Sequence, residues 1–254
     1  MMRYSFYFLS LLLIFISACN SGSNAPAELS IAQSQQLVVV EASNWNYFQG
    51  GLYLYEREGP EKPWTLFKSP IPVVLGMEGL AWGRGLEDFR KSSDGPNKKE
   101  GDKRSPAGVF PLTSTFGYAS VAESGISNMP YIEVSGYTRC IEDSKSQYYN
   151  AIVDEREVKN DWKSADAMLR DDELYRWGVF VGHNQPEAEA GAGSCIFMHT
   201  WRSENQGTLG CTAMDQVQLQ EVIYWLKSWK NPLLVQLPKS EYVKVQEAWG
   251  LPVL

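Results

Sequence analysis

One stretch of this 254-residue chain carries a clear helical period. Leu219, Val222, Ile223 and Leu226 recur at i, i+3, i+4 and i+7, which gathers apolar side chains on one helix face. Asp215 is a suitable N-cap, Lys227 and Lys230 stand near the C-terminal end, and Asn231-Pro232 stops the pattern. Most of what remains reads as short strands between Gly, Pro and Asn turns. Leu37–Glu41 is an apolar burst and Leu52–Arg57 alternates; Trp64–Phe67, Pro72–Leu75 and Tyr131–Val134 follow. Trp177–Gly182, Cys195–Trp201 and Leu233–Leu237 are further strands. Pro106-Ala107-Gly108 reads as a turn, Ser92–Gly101 as a polar loop, and Ser164–Arg170 suggests a brief helix. No internal repeat and no composition break follows residue 36. The expectation is a β-dominated α+β chain: a single domain built on a mixed β-sheet or sandwich, with one main helix.

The N-terminus has a separate character. Arg3 precedes an apolar run, Phe6–Ile16, of 11 residues. A membrane-spanning helix needs about 20, so this run suits the core of a secretory signal. Ile16-Ser17-Ala18-Cys19 resembles the lipobox of bacterial lipoproteins, which implies lipid on Cys19; an ordinary signal cleaved near Ala18 is the alternative. The small polar residues Asn20–Ala27 suit a tether leaving a membrane. The expected plan is a signal peptide over 1–18, a lipidated Cys19 with tether over 19–35, and one folded domain over 36–254. Asn20, in place of an aspartate after the cysteine, favours the outer membrane, facing the periplasm.

Cleavage removes Arg3 alone from the 23 basic residues, leaving 22 against 30 acidic ones. No basic cluster stands out, so nucleic acid is not an expected partner. With Cys19 assigned to lipid, Cys140, Cys195 and Cys211 remain outside the cytoplasm. Three thiols leave room for one pair and one free cysteine. Cys140 and Cys195 are the natural pair if Cys211 stays free, although spacing does not decide it.

The chain has two histidines, and one of them, His199, lies twelve positions before Cys211 in HTWRSENQGTLGCTAM. Zinc corners of the C-x2-C or H-x3-H type are missing from this stretch. Cys195 and His199, four apart on a strand, would be about 13 Å from each other, too far to share an ion. A nucleophile fits the pattern better. A free thiol is only a few per cent thiolate at pH 7 and needs help, which a histidine and a nearby helix N-terminus supply. Gly210 leaves room for its own N–H and that of Cys211 to approach a developing oxyanion.

His199, Thr208-Leu209-Gly210-Cys211 and Met214 together resemble the signature of the L,D-transpeptidase catalytic domain, the YkuD-type fold. Gly101-Asp102, Ser105–Phe110, Cys140–Asp154, Gly182-His183-Asn184 and Gly193–His199 are similar to a lipoprotein branch of that family. The resemblance implies Cys211 as nucleophile, His199 as general base, Thr200 as its orienting carbonyl, and Gly210 with Cys211 as oxyanion donors. It also implies a thioester intermediate on peptidoglycan stem peptides, passed to an amine or to water; the chain is expected to act as a monomer with no cofactor and no metal. Leu209 stands where the family often has histidine, Ala213 where a polar residue is usual, and the His-to-Cys interval is short. These departures bear on acceptor choice and leave two rivals: a hydrolase of cross-links or tethered protein, and a silent wall-binding lipoprotein.

Four further readings complete the set. His183 is either a second donor lining the site or an exposed turn histidine. Asp143, Tyr149 and Asn150 could border the groove, but Asx-type turns explain Asp143 and Asn150 equally well, so none of the three joins the catalytic set. Asp171-Asp172-Glu173 reads as a solvated charge run, and Trp201 as core more than sugar platform.

Overall fold

The computed structural model describes residues 30–87, 90 and 94–254. The signal segment 1–18, Cys19 and most of the tether lie outside the described residues. Strand outweighs helix, 34% against 12%, so the chain is β-dominated as its patterning implies.

In chain order the elements are β1 (Gln36–Ala42), β2 (Gln49–Glu56), β3 (Thr65–Val74), β4 (Leu80–Trp82), β5 (Ser105–Gly117), α1 (Val121–Ser124) and β6 (Tyr131–Glu133). They continue with β7 (Thr138–Ile141), β8 (Ile152–Asp154), β9 (Ala165–Ala167), β10 (Trp177–Val181), β11 (Phe197–Thr200) and β12 (Thr212–Met214). The last are α2 (Gln216–Trp225), β13 (Leu233–Pro238) and α3 (Lys239–Val245).

The main sheet runs β10-β11-β12-β3-β2-β1-β13-β5 and then closes, because β10 also pairs with β5. The sheet is mixed, as expected, but it closes into a barrel in place of a sandwich, which pairs strands that would otherwise be open edges. β5 is the seam. Its residues 108–111 pair with β13 and its residues 112–117 with β10, which is why one strand runs for 13 residues. The Pro106-Ala107-Gly108 stretch is thus no turn: Pro106 lies beside Ala81 of β4 in a parallel pair, and Gly108 adopts φ 140°.

Leu37, Val38, Val39 and Val40 are all fully buried, since β1 lies between β2 and β13 with α3 packed over the β1–β13 pair. A strand buried on both faces needs a continuous apolar run in place of alternation. Helix α2 packs on β10 and β11 with Leu219, Val222, Ile223 and Trp225 buried, and Trp225 stacks on Phe67 of β3. Asp215 caps it as expected, accepting hydrogen bonds from the N–H groups of Val217 (2.8 Å) and Gln218 (3.4 Å).

A separate three-stranded sheet, β8-β7-β9, covers one side of the barrel. It contains the segment expected to be helical: Ala165–Ala167 is strand, paired with β7 so that Asp166 lies opposite Cys140. The Cys140–Cys195 disulfide ties this small sheet to the barrel.

Candidate active site

Strands β11 and β12 form a parallel pair with Met198 beside Thr212 and His199 beside Ala213. Side chains alternate along a strand, so Met198 and Met214 enter the main core while Phe197 and Cys211 join a second cluster with Tyr175 and the disulfide. Continuing the register by one step sets Cys211 beside Phe197, whose N–H donates to the Cys211 sulfur at 3.4 Å. Cys211 and His199 therefore occupy one face, diagonally across adjacent strands. Ala213, the side chain directly beside His199, is small enough to leave that diagonal open.

The turn into Cys211 is built by hydroxyl groups. Thr208 Oγ1 donates to the Cys211 carbonyl at 2.6 Å and Ser105 Oγ donates to it at 2.9 Å. Gly210 adopts φ 148°, a conformation L side chains rarely take, and an added Cβ would lie 3.2 Å from the Arg104 carbonyl oxygen. Its N–H already donates to Thr208 Oγ1 at 3.1 Å, so an oxyanion role for Gly210 requires that bond to open. The helix contributes less than its sequence proximity implies. Three residues of β12 and the Asp215 cap separate Cys211 from the first turn of α2. A dipole effect that fades within one helical turn is weak at that distance.

The imidazole is left free to accept a proton. His199 Nδ1 donates to the Thr200 carbonyl at 2.7 Å, which leaves the lone pair on Nε2. Burial pushes its pKa down to about 4, so the ring is neutral at pH 7. Burial likewise pushes the Cys211 thiol up to about 12. The resting pair is neutral. The thiol's own hydrogen bond goes to the Cys195 carbonyl, 3.6 Å away.

Cys211 and His199 both line a cavity of about 750 Å³. Its lining mixes apolar side chains, Val74, Met77, Leu174 and a 72% exposed Leu209, with charged ones, Lys98, Glu100, Glu142, Asp166 and Arg170. Several of these are tied down: Glu100 accepts from Tyr149 (2.5 Å) and Ser194 (2.7 Å), and Asp166 accepts from Tyr175 (2.7 Å). Asp172, read from sequence as solvated, binds both Arg170 and Arg202 and so fixes two cations of the cavity rim. Glu142 is pushed up to about 7, first by burial and then by the charges of Asp166 and Glu100. None of these wall residues stands out in the sequence, because they come from segments far apart in the chain.

Other expected residues fall elsewhere. His183 is buried behind the cavity wall, 1% exposed, with Nε2 donating to the Ala192 carbonyl, so it is neither a lining donor nor an exposed turn residue. Asp143 caps local turns, accepting from Lys145 and Lys163 N–H groups. Tyr149 and Asn150 border a second, smaller cleft. Trp201 lines the main cavity, half-buried. Cys140 and Cys195 are disulfide-bonded, and Cys211 is the free cysteine among the described residues. Among those residues no group of three or more His, Cys, Asp or Glu side chains is placed to hold a metal ion.

A closed β-barrel with a free cysteine and a neutral histidine sharing one face at a peptide-sized cavity defines a class of cysteine-centred domains. The sequence supplies the particular member of that class. The chain belongs to the L,D-transpeptidase catalytic domain family, YkuD, which it matches over residues 49–239. That span runs from β2 to the start of α3 and contains every residue of the cavity. At the level of the family, its function is of the L,D-transpeptidase type and concerns peptidoglycan stem peptides. Comparison with curated proteins yields no match.

Proposed function

We propose that this chain is an L,D-transpeptidase-like cysteine acyltransferase of the cell envelope, held to a membrane through lipid on Cys19. The catalytic domain extends over residues 36–254, with 19–35 as the tether, and works as a monomer without a cofactor. The observation that carries the reading is the shared face of Cys211 and His199 at the cavity, with the His199 lone pair on Nε2.

The chemistry follows from those groups. The thiol turns from the Cys195 carbonyl toward His199, whose Nε2 takes its proton as sulfur attacks the amide carbonyl of the donor stem. Charge developing on that oxygen meets the Cys211 N–H, which donates to nothing else among the described residues. Protonated His199 then hands its proton to the leaving amine, and a thioester remains on Cys211. An acceptor amine attacks the thioester, giving its proton to His199, and the thiol is restored. The Thr200 carbonyl holds the ring in one orientation throughout.

Purified stem-peptide fragments incubated with the protein acquire new cross-links under this reading, and Cys211→Ala abolishes them. Loss of cross-links without amine-linked products would identify the hydrolase instead. Binding without any turnover would identify a silent wall-binding protein.

A further inference from the structure

Cys195 is a non-glycine residue at φ 55°, and its backbone meets Cys211 directly through its carbonyl. Such a conformation persists only where its surroundings enforce it. The Cys140 disulfide is one restraint. The other is Asn150. This side chain is 2% exposed and fully used: Oδ1 accepts the Cys195 N–H at 2.9 Å, while Nδ2 donates to the carbonyls of His183 (2.8 Å) and Asn184 (3.0 Å). Asn184 in turn donates to the carbonyls of Glu189 and Gly193, so the whole 183–195 turn is cross-braced. Asn150 itself sits at φ 64°, with its N–H on the Ile141 carbonyl. A purely local Asx turn does not account for partners 33 to 45 residues away.

We propose that Asn150 is a positioning residue for Cys211: by fixing the Cys195 peptide, its side-chain amide aims the Cys195 carbonyl at the thiol and keeps that thiol in its resting, protonated orientation. This rests on the assignment of Cys211 as nucleophile. The ionisable groups that share the cavity with that sulfur are Lys98, Glu100, Glu142, Asp166, Arg170, Tyr175, His199 and Arg202, and the substitutions below leave all of them in place.

The test is the pH profile of iodoacetamide alkylation at Cys211, mapped by peptide mass spectrometry on the full chain with the disulfide intact. Asn150→Ala frees the Cys195 peptide. Losing a carbonyl acceptor that favours the protonated thiol lowers the alkylation midpoint, and the rate at pH 7.5 rises about five- to tenfold. Asn150→Asp keeps an acceptor for the Cys195 N–H but loses both donors. It is expected to lower thermal stability without lowering the midpoint. If Asn150→Ala does not fold, Asn150→Ser, polar but too short to reach Cys195, reads the same quantity. An unshifted midpoint in the Ala or Ser variant overturns the proposal. So does an equal fall in Asn150→Asp, which would mean general loosening. Alkylation reports the thiol whether or not peptide is turned over, so this result and the stem-peptide assay fail independently.

Discussion

The Cys211 thiol rests on the carbonyl of Cys195, 3.6 Å away, while the amide of Phe197 approaches the same sulfur from β11 at 3.4 Å. The candidate nucleophile is thus held by the residue that carries the disulfide, with the His199 imidazole waiting one diagonal step across the strand pair. Hydrogen bonds between nucleophile and base are often loose without substrate and tighten in the complex. Here the thiol has a definite partner, the Cys195 carbonyl, and under the proposed function it would leave that partner when substrate arrives.

Because His199 is pushed down to about 4, its proton-accepting form is present well below neutral pH. The acid limb of kcat/KM is expected near pH 4, falling as pH drops through that value, and not near the 6.5 of an exposed histidine. Rates measured from pH 3.5 to 8 check this. His199→Ala should lower the rate by about 10²–10⁴-fold across the range.

Gly210→Ala places a side chain on a backbone at φ 148° and against the Arg104 carbonyl. Strain of this kind costs about 1–3 kcal/mol. It also displaces the next residue, Cys211. Denaturant melts should show the stability loss, and stem-peptide turnover should fall by more than the fraction unfolded explains.

Removing the disulfide by a Cys140→Ser, Cys195→Ser double substitution opens a loop between residues 55 apart. Chain-entropy reasoning puts the loss at about 4 kcal/mol. Urea unfolding of both proteins under non-reducing conditions measures it, and no loss would mean that the β8-β7-β9 sheet is held by its other contacts alone.

Glu142 gives a pH signature in stability of opposite sign to that of His199, whose pKa is lowered. Its folded pKa, about 7, lies above the 4.5 of the free side chain. Between those values the folded chain keeps a proton that the unfolded chain has lost. Stability therefore falls as pH rises through the window, and the penalty is complete above about 7. Allowing for solvent screening, Glu142→Gln should gain about 1–2 kcal/mol at pH 8 and nothing at pH 4. Paired urea titrations at the two pH values read the difference.

The parts legible in the sequence are those whose signal is local. Apolar and alternating runs mark β1, β2, β10, β11 and β13, and the 3.6-residue period with the Asp215 cap marks α2. Cys211 and His199 were visible as scarce reactive residues near a glycine turn. What was hidden depends on pairing between distant segments. β5 hides because Pro106 and Gly108 resemble punctuation, and only the β4 and β13 partners make a strand of them. The Ser164–Arg170 stretch has helix-compatible residues, yet pairing with β7 outweighs that preference. Separately read Trp64–Phe67 and Pro72–Leu75 are one strand, β3, carried through Pro70. Barrel closure, the charged cavity wall and the bracing role of Asn150 arise from contacts across tens of residues, for which a single sequence has no periodic trace.

The most direct measurement of the central claim is the intact mass of the protein after exposure to a carbapenem, whose strained carbonyl traps an activated thiol as a stable thioester. One whole-drug increment mapped to Cys211, slowed in His199→Ala and lost in Cys211→Ala, is the predicted result. Absence of an adduct on the wild type, or an adduct of equal yield in Cys211→Ala, would contradict it.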